Sequence, residues 1–130
     1  MKNIIKGILG FEDIEVTGNM HVGTLQMRFE ESFSTKIRVY GLTADGRINT
    51  GKGARPADPK STLASNSPPS MKIQSITIRK THTVGEIEKA FAEQMGLGIQ
   101  IMSPDGATFA PNDMKLKEVH TLVKSKENNL

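Results

Sequence analysis

A chain of 130 residues with 36% hydrophobic residues is long enough for one domain with a real core and too short for two comfortable ones. It contains no Cys, which excludes a disulfide framework and any thiolate-held zinc or iron-sulfur centre. The formal net charge of +3 is thinly spread, because basic and acidic residues nearly balance in both residues 1–41 and residues 71–130. Such a mixture reads as a solvated surface rather than a stripe that follows phosphates.

Met1 to Phe11 begins with a basic residue and an apolar run in the manner of a signal peptide. Lys6 interrupts the run, Glu12 and Asp13 end it, and no small-residue cleavage site follows. No stretch approaches the roughly 18 apolar residues of a membrane span, so a cytoplasmic protein away from the membrane is expected. Next, Ile14 and Val16 alternate with Asp13, Glu15 and Thr17, the pattern of a half-buried strand. Val22, Leu25, Phe29 and Phe33 then recur at helical spacing. This helix has a weak start, since His21 stands at its cap position and only Asn19 is nearby to substitute. Ile37 and Val39 return to strand alternation.

Residues 42–70 are rich in Gly, Pro, Ser, Asn and Thr, and predict a mobile connection that cannot bury enough apolar surface to offset the entropy of ordering it. The run from Lys72 to Lys80 predicts a strand with Ile76 and Ile78 on one face. Thr83-Val84-Gly85-Glu86 has the form of a capping box, followed by the stripe Val84, Ile87, Phe91, Met95 and by Gly96 as a helix stop. Leu97, Ile99 and Ile101 predict the last strand, closed by the turn Pro104-Asp105-Gly106.

The second series repeats the first 62 residues later: Ile14 and Val16 match Ile76 and Ile78, Val22-Gly23 matches Val84-Gly85, Phe29 matches Phe91, and Ile37 and Val39 match Ile99 and Ile101. A looser match at an offset of 53 sets Ala57 to Leu63 against Ala110 to Leu116. The expected architecture is therefore a single α+β domain over residues 1–130 built of two βαβ repeats, about 11–65 and 72–119. Its simplest form is a βαββαβ sandwich of the ferredoxin-like kind, with four antiparallel strands in one sheet and both helices on one face. The other face is then open and polar, displaying Lys36, Arg38, Tyr40 and Arg79.

The pattern Val-Gly-x-Leu-x-x-x-Phe-x-x-x-Phe at Val22 to Phe33, followed by Ile37-Arg38-Val39-Tyr40, Ala57-Asp58 and Thr62-Leu63-Ala64, resembles one in small uncharacterised bacterial proteins. The resemblance covers both copies but not residues 42–56, and it implies a bacterial origin without an attached activity. The second copy departs from it at Gln100 and Met102, where the first has Arg38 and Tyr40. The order helix, strand, Gly-containing turn, acidic turn and Leu is also similar to the later half of ubiquitin-like folds, which makes β-grasp-like halves the structural alternative.

Gly46 to Gly53 comes within one residue of a phosphate-binding P-loop, with Lys52 in place, but Gly53 stands where the Mg²⁺-holding hydroxyl belongs and Pro56 follows. His21, His82 and His120 share no ligand spacing, so no metal is expected, and no cofactor either. No nucleophile motif with a plausible base stands out, so no enzyme is expected. An open four-stranded sheet is also how RNA-recognition motifs bind, but here the central strands carry no aromatic residue, and Tyr40 with Lys36 and Arg38 is the one stacking candidate. The expected function is a non-enzymatic protein-protein interaction or regulatory module. Its candidate surface is Lys36, Arg38, Tyr40 and Arg79 with Arg47, Lys52 and Arg55 of the loop, or else an exposed strand edge. Nucleic-acid binding through the same basic residues is the alternative, and nucleotide binding by residues 46–53 a further one.

Overall fold

The computed structural model describes residues 11–41 and 54–122. Strands β1 (Ile14–Val16), β2 (Lys36–Tyr40), β3 (Ile76–Ile78) and β4 (Gly98–Met102) alternate with helices α1 (Val22–Phe33) and α2 (Val84–Met95), and a short α3 (Leu116–Val119) follows. The fold is α+β. Each long helix buries the stripe that its spacing predicts, Val22, Leu25, Phe29 and Phe33 in α1 and Val84, Ile87, Phe91 and Met95 in α2. Thr83 and Glu86 close the capping box, and Gly96 ends α2 in the left-handed conformation at φ 65°. α1 ends the same way on Ser34 at φ 56°.

The strands do not form one sheet of four. They make two separate antiparallel ribbons, β1 with β3 and β2 with β4. A ferredoxin-like order would set β2 and β4 on the flanks of the other two. β1 and β3 are only three residues long, too short to offer five-residue neighbours a full ladder, whereas β2 and β4 match each other along their whole length. Nor is there a described hairpin ahead of either helix, as β-grasp halves would need, because the partner of each strand comes from the other half of the chain.

Glu15 lies opposite Thr77 and Arg38 opposite Gln100, so in both ribbons the central pair joins positions 62 apart. One twofold relation thus runs through both ribbons. The inner residues Ile14, Val16, Ile76 and Ile78 of one share a core with Ile37, Val39, Ile99 and Ile101 of the other. α1 packs on β1 and β2, and α2 on β3 and β4.

The described part of the expected mobile connection, residues 54–70, is packed. Tyr40 bridges to Pro56 as Met102 bridges to Phe109, and His21 bridges to Thr62 as Thr83 does to Lys115. Leu63 is wholly buried, like Leu116. The polar composition misleads because two of its few apolar residues, Ala57 and Leu63, enter the core. This segment covers the outer edge of β2, where the Ala57 N–H donates to the Val39 carbonyl, and it meets the start of α1, where the Val22 and Gly23 N–H groups donate to the Ser61 and Pro59 carbonyls. The remaining residues of the connection, 42–53, lie outside the described part.

Candidate functional site

The outer face of the β2–β4 ribbon is the first of the surfaces expected from the sequence. Arg38 at its centre is exposed and donates to the Gly106 carbonyl at 3.2 Å. Lys36 pairs with Glu30 of α1 at 2.9 Å, and both side chains are largely in water. Tyr40 does not stand open. It is only 7% exposed, and its hydroxyl donates to Gln100 Oε1 at 2.7 Å, with the bridge to Pro56 holding its backbone. Met102, at the position of β4 that alternates outward with Gln100, is 1% exposed. Both residues occupy strand ends where an extended segment, 54–57 or 107–110, runs alongside, and this closes over what alternation alone marks as outward.

Arg79 lies beyond the end of β3 and pairs at 3.5 Å with Asp13, which precedes β1 in the same ribbon. It therefore belongs to the β1–β3 ribbon, while Lys36 and Arg38 belong to β2 of the other. Arg55 is exposed beside Tyr40, with its carbonyl accepting from the Gly41 N–H at 2.8 Å. Arg47, Lys52 and the whole near-P-loop at 46–53 lie outside the described residues. Lys36 and Arg38 thus lie on one face of β2, Arg55 lies beside its far end at Gly41, and Arg79 belongs to the other ribbon.

The histidines are occupied by local structure. His82 Nδ1 accepts from the Arg79 N–H at 3.1 Å, the His120 ring packs on Phe11 at 5.4 Å, and His21 caps α1 by backbone alone. Among the described residues no group of three or more His, Asp or Glu side chains is arranged to hold a metal ion. None of their helices is long and apolar enough to cross a membrane. Two carboxyl groups among the described residues, Glu88 and Glu86, are shifted from the usual range. Burial pushes Glu88 up, opposed by the N–H of Ile101 that it accepts at 3.3 Å, and the Thr83 backbone N–H holds Glu86 down. Both positions have structural uses, one on a strand edge and one in a helix cap.

The features that sequence reading missed are two grooves flanking the β1–β3 ribbon. One, of about 260 Å³, runs between β1 and α1 and is lined by Asp13, Ile14, Glu15, Arg28 and Ser32 among others. The second, of about 310 Å³, runs between β3 and α2 and includes Ser75, Ile76, Thr77, Ala90 and Gln94. Each of these residues in the second groove is the twofold counterpart of one in the first. Along both grooves, among the described residues, no backbone hydrogen bond reaches the outer edge of β1 or β3. The outer edges of β2 and β4 differ, being bonded to residues 55–57 and 108–110 and to the side chains of Gln26 and Glu88. The alternation at Asp13 to Thr17 signals a strand, but only the pairing shows that no described backbone group bonds its far edge. No family model matches this chain, and comparison with curated proteins and with solved structures likewise finds no match.

Proposed function

We propose that the chain is a tandem repeat of one βαβ unit and serves, without catalysis, as a protein-binding module of bacterial origin. The observation that carries this reading is the pair of strand edges beside α1 and α2 that no described backbone group bonds, each backed by a groove. A free edge is a template on which an extended segment adds by main-chain hydrogen bonds, with the neighbouring groove selecting its side chains. The basic face around Lys36, Arg38 and Arg55 supports the nucleic-acid alternative less well, because Tyr40, its one stacking ring, is buried.

Capture from native bacterial lysate tests the reading. The wild-type chain is compared with a double variant, Ser32→Arg and Gln94→Arg, that fills both grooves from half-buried helix positions away from the core. A protein retained after nuclease treatment and lost in the variant is the expected result. Capture that disappears with nuclease, or is lost in Arg38→Ala and Arg55→Ala with a steep salt dependence, favours nucleic acid instead.

A further inference from the structure

The two grooves have one frame and two chemistries. At matched positions the groove beside β1 has Asp13, Glu15 and Arg28 where the groove beside β3 has Ser75, Thr77 and Ala90. Glu31 also lines the first groove, so Asp13, Glu15 and Glu31 stand against Arg28 there. Part of that charge is engaged along the ribbon, with Asp13 beside Arg79 and Glu15 accepting from the Thr77 hydroxyl at 2.8 Å. Glu31, on the helical wall, is exposed and has no ion-pair partner among the described residues. An edge that no described backbone group bonds therefore coincides with a local negative field on a chain whose net charge is +3. That contrast matters, because a cationic ligand drawn to this groove is drawn by the local arrangement and against the charge of the whole molecule.

We propose that the β1 groove takes an extended, basic segment of a partner protein, with Lys or Arg at alternate positions, added as a strand along the outer edge of Ile14–Val16. This rests on the protein-binding reading above and gives it a partner chemistry. Side chains of an added strand alternate between its two faces, so every second residue lies on the side of Glu15, the outward residue of β1. The helical wall with Arg28, Glu31 and Ser32 bounds the other side. The groove beside β3 has uncharged Ser75, Thr77 and Ala90 where the first has Asp13, Glu15 and Arg28, with Glu86 as the carboxylate on its lining, and does not share this preference.

The test uses the full-length chain and three fluorescein-labelled octapeptides of alternating sequence, Lys-Val, Thr-Val and Glu-Val, followed by anisotropy and by backbone amide shifts. The expected result is that Lys-Val binds at least tenfold more tightly than Thr-Val, weakens with salt, and shifts amides 12–16 and 28–32. Glu15→Lys with Glu31→Lys is expected to remove that preference, while Glu93→Lys, at the position in α2 that matches Glu31, leaves it in place. A proline in the middle of the Lys-Val peptide is expected to abolish binding, since it removes a ladder donor. Equal binding of Lys-Val and Thr-Val with shifts at 12–16 overturns the basic preference and leaves the strand-binding reading standing. No shift at either 12–16 or 75–78 with any peptide overturns both. Binding of Lys-Val only after deletion of residues 1–10 also overturns the proposal, because the edge is then satisfied within the chain.

Discussion

At the scale of single residues the two halves solve the same local problem with different chemistry, and the differences are testable. Thr83 and His21 share an extended cap conformation, but only Thr83 makes a side-chain bond, accepting from the Glu86 N–H at 3.2 Å while Glu86 accepts from the Thr83 N–H at 2.8 Å. Thr83→Ala should cost about 1 kcal/mol in denaturant unfolding, and His21→Thr should gain about 0.5–1 kcal/mol by supplying the missing acceptor. At the other end of α1, Ser34 holds a left-handed backbone that its β-carbon disfavours, so Ser34→Gly should also stabilise, by about 0.5–1 kcal/mol. Glu88 gives a pH-dependent case. Burial raises its carboxyl above the usual glutamate value, so the folded chain holds that proton more tightly than the unfolded one. The contribution of Glu88 to stability is then greatest below the unfolded value and is lost as pH rises through the folded one. Glu88→Gln keeps an acceptor for the Ile101 N–H and removes the charge. Its melting temperature should exceed that of the wild type at pH 7, with the gap closing as pH falls below the glutamate range. A gap that widens toward acid pH contradicts the assignment.

At the scale of elements, helices were the most legible feature, because a stripe such as Val84, Ile87, Phe91, Met95 bounded by a capping box and a glycine admits one local structure. Phe29 and Phe91 at matching positions are both wholly buried, and replacing either with Ala should cost about 3–5 kcal/mol, measured by chemical denaturation. The repeated Val-Gly at each helix start was visible as a pattern, but its reason was not. A β-carbon on Gly23 or Gly85 would come within 3.2 Å of the Pro59 or Asn112 carbonyl oxygen, to which the glycine N–H donates. That contact joins positions far apart in the chain, and no local period reports it. Strand pairing was hidden for the same reason. Alternation assigns Tyr40 to an outward face, yet Pro56 bridges its backbone and Gln100 holds its hydroxyl, both from elsewhere in the sequence. The grooves depend on which strand edges stay open, a property of pairing rather than of any single element.

At the scale of the whole molecule, both ribbons join one half to the other, so neither half can complete a sheet alone. The equivalence of the paired positions gives a sharper expectation. Because Thr77 lies opposite Glu15 and Gln100 opposite Arg38, a fragment of residues 70–130 can place its own Thr77 and Gln100 opposite those of a second copy, with β3 and β4 each pairing with themselves. Phe91, Ile99 and Ile101 would otherwise lose the cover that the first half provides. The fragment should therefore fold only as a symmetric dimer, with a melting temperature that rises with protein concentration and a sedimentation mass twice that of the chain. Mixing it with residues 1–69 should divert it into a one-to-one complex, since the first half brings Tyr40 opposite Gly98 and returns the bond from Tyr40 to Gln100. A monomeric fragment with a cooperative transition independent of concentration would mean that each half has its own core. That result would contradict the twofold architecture, because both ribbons pair one half with the other around a single shared core.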